Sequence, residues 1–326
     1  MMKSAIVKKT LITAAVTVVA ATVVSEWSTL QAKAPRVIAK ISDAVRTNNY
    51  PDVGSLHGEA AILIDERTGK PLFVKNERKR LYPASTTKML TALIALEKAD
   101  TNEIVTVGDE VMQQQSDESS AGLVPGQQLS LYDLIAAMML PSGNDAARTV
   151  ARFIAEKETG QLLTPDESMK IFAGMMNERA KELGATESHF VNSHGLHDPD
   201  HYTTAADLAL IARKARKNSV LREIVNESEH HIQDVSDQAV AANADEQIYV
   251  NRNKLLQPSS GYYFSGANGM KTGYTSAAGY CLVASAKRGD RGYIAVILKS
   301  SSADVWLDAT KLLQYGFDNQ QNDGYL

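Results

Sequence analysis

A single cysteine, Cys281, occurs in the 326 residues, so no intramolecular disulfide is possible. Flanked by Tyr280, Leu282 and Val283 in a predicted strand, it reads as a buried apolar filler. The chain also lacks internal repeats and low-complexity stretches. It lacks a basic surplus too: 34 Lys and Arg stand against 38 Asp and Glu, a net charge of −4, which argues against nucleic-acid binding. No apolar run is long enough for a permanent membrane span. The uncharged stretch from Leu11 to Val24 would cover about 21 Å as a helix, against a hydrocarbon core of about 30 Å. Lys3, Lys8 and Lys9 precede it and Ala32-Lys33-Ala34 supplies a small-residue cleavage site. Residues 1–34 therefore read as a signal peptide, and the protein as exported. The long gap from Val24 to the cleavage point, and Pro35 just after it, leave open an uncleaved anchor holding the protein at a membrane surface. Residues 35–56 read as a linker.

Metal-ligand patterns are missing as well. His194, His197, His201, Asp198 and Asp200 crowd a predicted surface loop with Gly195 and Pro199, but no helix sets two histidines at i and i+4. They read as loop hydrogen-bonders. His230-His231 read as solvated surface. Neither a metal nor any other cofactor is expected.

Three short motifs in a fixed order are present instead: Ser85-Thr86-Thr87-Lys88, Ser142-Gly143-Asn144 and Lys271-Thr272-Gly273. Alone, each has an ordinary reading, the first as a helix cap and the others as turns. Together they supply a nucleophile, a base, a proton relay and an anion clamp. Ser85 and Lys88 lie three apart, on one helix face, before the strong helix formers Met89 to Glu97. An ordinary ammonium, pKa near ~10.4, is neutral about once in a few thousand at pH 7, so a catalytic Lys88 requires burial or a neighbouring cation such as Lys271. Ser142, whose hydroxyl donates and accepts, suits a relay between Lys88 and a leaving amine. Asn144 suits holding substrate backbone. Lys271 and Thr272 on an edge strand suit a substrate carboxylate, and Gly273 permits close approach to that strand.

The ordered set resembles the penicillin-recognising serine enzymes, and most closely the low-molecular-mass D-alanyl-D-alanine carboxypeptidases. The resemblance runs from about Gly58 to Phe317, through Leu123-Val124-Pro125-Gly126, Leu140 to Ala147, His194 to Asp198 and Asn251 to Leu256. It implies an oxyanion hole from the N–H groups of Ser85 and Tyr274, and a second carboxylate ligand in Arg252. It also implies peptidoglycan stem peptides ending in D-Ala-D-Ala as substrate and β-lactams as covalent inhibitors. Class A β-lactamases differ in carrying an Asp within the second motif and a downstream deacylating Glu. Glu167 and Glu187 are the nearest acidic candidates here, without the surrounding Glu-x-x-x-Asn pattern. Alternatives on the same scaffold are a β-lactamase or esterase, and a penicillin-binding sensor without useful turnover.

Helical patterns at 86–98, 130–139, 145–157, 168–183 and 204–217 lie between predicted hairpins at the two ends of the chain. That order predicts an α+β fold of the β-lactamase/transpeptidase type, an antiparallel sheet from both chain ends flanked by helices and joined to a helical lobe. Residues 57–317 would form the catalytic domain and 318–326 a polar tail, too short for the further β-rich domain and anchoring helix that many members of the branch append.

Overall fold

The computed structural model describes residues 53–319, apart from Ser116, Gln233 and residues 237–246. The expected signal segment and most of the expected linker lie outside the described residues. The chain opens with strands β1 (Ala60–Asp65) and β2 (Pro71–Lys75), then a 3₁₀ turn at Ala84–Thr87 that runs into α1 (Lys88–Lys98). A small hairpin follows, β3 (Ile104–Thr106) with β4 (Gln128–Ser130), and then the helices α2 (Leu131–Met139), α3 (Asn144–Thr159) and α4 (Pro165–Glu182). Next come α5 (Ala205–Ala215), α6 (Ser219–Asn226) and a second small hairpin, β5 (Glu229–Ile232) with β6 (Gln247–Val250). The last elements are β7 (Ala267–Thr275), β8 (Gly279–Arg288), β9 (Arg291–Ser300) and α7 (Asp304–Asn319).

Local chemistry accounts for most helix starts. Ser130, Thr204 and Asn218 accept from backbone N–H groups in the first turns of α2, α5 and α6. Thr164 and Glu167 form a reciprocal capping box at α4, with Pro165 at its first position. The predicted helices are all present. Two starts differ by more than one residue: α4 opens at Pro165 rather than 168, and α1 begins at Lys88, with Ser85 in the tighter 3₁₀ turn before it and without a capping bond from its side chain.

The main sheet has the order β2-β1-β9-β8-β7, antiparallel throughout, so both chain ends meet at β1–β9. Residue parity divides its two faces. Ile62, Ile64, Val283, Ile294 and Val296 face the core shared with α1, α2, α3 and α5. Leu63, Leu282, Ala284, Tyr293 and Ile297 face Trp306, Leu312, Leu313 and Phe317 of α7. Cys281 is buried on the first of these faces, and burial pushes its thiol up to about 12. Leu56 is buried in the second core, and α7 runs to Asn319. No helix among the described residues is long and apolar enough to cross a membrane.

The entry of the chain into β1 is fixed by one carboxylate. Asp308 of α7 is fully buried and accepts from the N–H groups of His57 (3.0 Å) and Gly58 (2.8 Å). Asp308→Asn should therefore lower stability by about 1–3 kcal/mol, the range for weakening a buried, charge-assisted acceptor. A urea unfolding midpoint unchanged from wild type would contradict this anchoring role.

Candidate active site

β7 is an edge strand, and its C-terminal half lies against the 3₁₀ turn that carries Ser85. Gly273 makes that approach possible: a Cβ there would sit 3.0 Å from both Pro83 O and Ser85 N. Gly273 also lines the cleft, where close approach of a ligand to the strand is expected. Loops from the helical lobe complete a cleft of about 540 Å³, lined by Ser85, Ser142, Asn144, Arg252, Thr272 and Tyr274, among others. Residues far apart in sequence, from all three motifs, thus share one cavity.

Lys88 is fully buried, with Nζ 2.9 Å from Ser85 Oγ, 2.5 Å from Asn144 Oδ1 and 2.9 Å from His194 O. Burial holds its ammonium well below the usual lysine range, and the like charge of Lys271 adds to this; Asp145 and Glu118 pull the other way. Lys271 is itself buried and lowered to about 7, by desolvation and then by the charge of Arg252. Its Nζ donates to Thr272 O at 3.0 Å. Thr272 and Arg252 reach the cleft surface, where Arg252 Nη1 donates to Ser119 Oγ at 2.7 Å. Ser142 is nearly buried and has φ 69°, while Ala84, just before Ser85, has φ 48°. Such left-handed backbone costs non-glycine residues about 1–3 kcal/mol and is tolerated where the surroundings fix it.

Asn144 has internal partners as well as a place in the cleft lining. Its amide is engaged inside the protein, with Oδ1 on Lys88 and Nδ2 donating to Glu118 Oε2 at 3.0 Å. Glu118 in turn takes two bonds from Arg148, at 2.7 and 2.9 Å, in an ion pair almost wholly withdrawn from solvent. Asn144 thus links the lysine to a buried carboxylate, and it also lines the cleft with one N–H of its amide not used on Glu118. Asp145 fastens the same segment, accepting from the N–H groups of Ala121 and Leu123 and from Ser120 Oγ.

A model of the family described as D-alanyl-D-alanine carboxypeptidase matches residues 45–302. The chain belongs to that family. These are serine-type peptidases, and the α+β fold agrees with that of the solved relatives. The carboxypeptidase DacF of Bacillus subtilis is 32% identical over 88% of this chain and 68% of its own length. DacC of Escherichia coli is 33% identical over 81% of this chain and 62% of its own. The crystal structure of a Streptomyces DD-transpeptidase superposes with a TM-score of 0.72, at 31% identity, covering 81% of this chain and 98% of that one.

Several residues of this carboxypeptidase-family site were not singled out from sequence. Glu118 and Arg148 lie in segments without a motif. Glu167 and Glu187, the acids that were singled out, serve the α4 capping box and an ion pair with Arg78. Within the 189–203 segment His197, Pro199 and Asp200 are exposed, but His194 and His201 are buried. His201 Nδ1 accepts from Val191 N at 3.1 Å, so Nε2 carries the proton toward Thr87 Oγ1, 2.9 Å away. Burial lowers His201 to about 4 and keeps it neutral. His230 is likewise no solvated residue, being clamped between Glu227 (2.6 Å) and Asp133 (2.8 Å).

Gly195 sets how closely this segment can press on the Ser85 turn. Its φ is +87°, and a Cβ would fall 1.9 Å from Ala84 O. Gly195→Ala should displace the turn and reduce peptidase activity by about 100-fold or more, the scale associated with ~1 Å of misplacement. Gly184→Ala is the control, because Gly184 has φ +84° but no atom nearer than 3.8 Å. Equal activity losses in the two variants would mean that backbone strain, not the contact with Ala84, is responsible.

Proposed function

We propose that the protein is an exported serine D,D-carboxypeptidase that removes the terminal D-Ala from peptidoglycan stem peptides through a Ser85 acyl-enzyme, and that β-lactams block it at the same serine. The observation that carries this reading is the environment of Lys88. Its amine touches the Ser85 hydroxyl but no carboxylate, and two of its three neighbours, Asn144 Oδ1 and His194 O, can only accept. A neutral amine has two N–H groups for those acceptors, and its lone pair is then left for Ser85.

In the proposed reaction Lys88 takes the Ser85 proton as Oγ bonds to the carbonyl carbon of the penultimate D-Ala. The oxyanion is held by the N–H groups of Ser85 and Tyr274. Ser142 passes a proton to the departing nitrogen, the C–N bond breaks, and D-Ala leaves. Thr272 and Arg252 hold the terminal carboxylate at the cleft surface, and Lys271 acts from behind them through its charge. Water then enters by the reverse route. Family membership and the family names of the relatives support the substrate, and the N-terminal sequence supports export.

The mass of the protein, followed in time with penicillin and with a D-Ala-D-Ala peptide, tests this against its alternatives. Both should give a transient or lasting adduct that Ser85→Ala abolishes. The penicillin adduct should hydrolyse more slowly than the peptide adduct by several powers of ten, each about 1.4 kcal/mol of barrier. Rapid penicillin turnover would mean a β-lactamase, and a permanent adduct with an inert peptide would mean a sensor.

The acylation rate should rise with pH, since the active form of Lys88 is the deprotonated one, and its midpoint should lie well below the ordinary lysine range. Lys271→Met removes a like charge that disfavours the Lys88 ammonium, so the midpoint should move up. Lys88→Arg should be nearly inactive, because a guanidinium keeps its proton. Near-normal acylation by that variant would assign the base elsewhere.

A further inference from the structure

At the far end of β7 from the cleft lies a second groove, of about 810 Å³, between the α5–α6 junction and the turns that end β1 and β8. Arg67, Arg213, Arg216, Lys217, Arg222 and Lys287 line it. Only Arg216 is paired, with Glu66 at 2.9 Å; among the described residues the other five have no carboxylate within ion-pairing distance. The other acids of the lining are Glu223 and Asp290, and they leave a clear positive excess. This does not reflect a basic chain, since the protein as a whole carries −4.

Three of the arginines are held rigidly. Arg213 donates to the carbonyls of Glu66 (3.0 Å) and Arg67 (2.7 Å), and Arg222 donates to Arg216 O (2.7 Å). Arg216 is 4% exposed and donates to Glu66 Oε1 and Asn268 O. Carbonyl bonds fix a guanidinium without neutralising it, so Arg213 and Arg222 are preorganised cations with N–H groups to spare. Arg67, Lys217 and Lys287 are exposed around them.

We propose that this groove binds a multivalent phosphoryl anion, of pyrophosphate size or larger, independently of the catalytic cleft. Arginine forks match phosphate oxygens in pairs, and a single carboxylate would leave most of the local charge uncompensated. The volume exceeds what one inorganic phosphate needs. Such a group can come from a soluble phosphate compound or from the headgroups of a lipid surface, and the two sources are separable.

The test uses the full-length chain at about 50 mM salt, where screening is moderate. Inorganic pyrophosphate is titrated by calorimetry, and phosphatidylglycerol vesicles are compared with phosphatidylcholine vesicles by co-sedimentation. The comparison variant combines Arg67→Glu, Lys217→Glu and Lys287→Glu, all exposed positions, and keeps the N-terminal lysines. The expected result is binding of at least one anionic probe, weakened about tenfold or more in the variant, with unchanged hydrolysis of the D-Ala-D-Ala peptide. Pyrophosphate binding identifies a soluble source, and binding to phosphatidylglycerol vesicles alone identifies a headgroup. The proposal is overturned if wild type binds neither probe, or if the variant binds as wild type does.

Discussion

Everything else at this site is arranged around a lysine amine buried without a carboxylate in contact. Transfer of an ammonium from water to such a place is strongly unfavourable, and the group responds by losing its proton. Lys88 is kept from collapse into an ordinary ion pair because the nearest carboxylates are already occupied. Glu118 is bound by Arg148, and Asp145 is saturated by loop N–H groups and Ser120. What reaches Lys88 is an amide oxygen and a main-chain carbonyl, which orient the amine without stabilising its charge as a carboxylate would. Lys271 reinforces the effect from the edge strand, so the sheet contributes to the electrostatics of the base as well as to the shape of the cleft.

That arrangement depends on close backbone contacts. The Ser85 turn is pressed from one side by Gly273 of β7 and from the other by Gly195, each at a separation that a methyl group would violate. The segment around Gly195 is itself wedged under α1: Thr91 Oγ1 donates to Ser193 O, and Ser193 Oγ to Ala147 O on α3. Ser85 is consequently positioned by main chain from the sheet, from α1 and from the 189–203 segment together. A displacement of any of them would be felt at Ser85.

The fold was legible because its signals are local. Continuous apolar runs in β8 and β9, strong helix formers after Lys88 and the helical patterns of the central region each act within a few residues of themselves. The three motifs were legible for a different reason, as an ordered set whose members are weak singly. Other parts of the site could not be read, because their meaning lies in partners distant in sequence. Glu118 is an ordinary acidic residue until folding brings Arg148 and Asn144 to it. His194 and His201 look like surface histidines in a loop rich in Asp, Gly and Pro, and only the packing of that loop beneath α1 reveals them as buried and neutral. Asn144 was placed at the site, but its sequence neighbours do not announce its bonds to Lys88 and Glu118.

Glu118 also bears on why a lysine, rather than a carboxylate, would activate water here. An ionised carboxylate offers about four acceptor positions. On Glu118, Arg148 takes two, Asn144 a third and the N–H of Gln115 a fourth. Taking a proton from water would require Glu118 to surrender part of a buried bidentate ion pair, a loss of the kind that costs about 3–5 kcal/mol when a partner is removed. Glu118 is therefore engaged in holding Asn144 against Lys88. In the proposed mechanism, water must then be activated along the Lys88 and Ser142 route by which D-Ala departed. A peptide acyl-enzyme leaves that route open once D-Ala has gone. In the same mechanism a β-lactam adduct would retain its opened ring on that side, and Glu118, with its acceptor positions filled, would offer no second path.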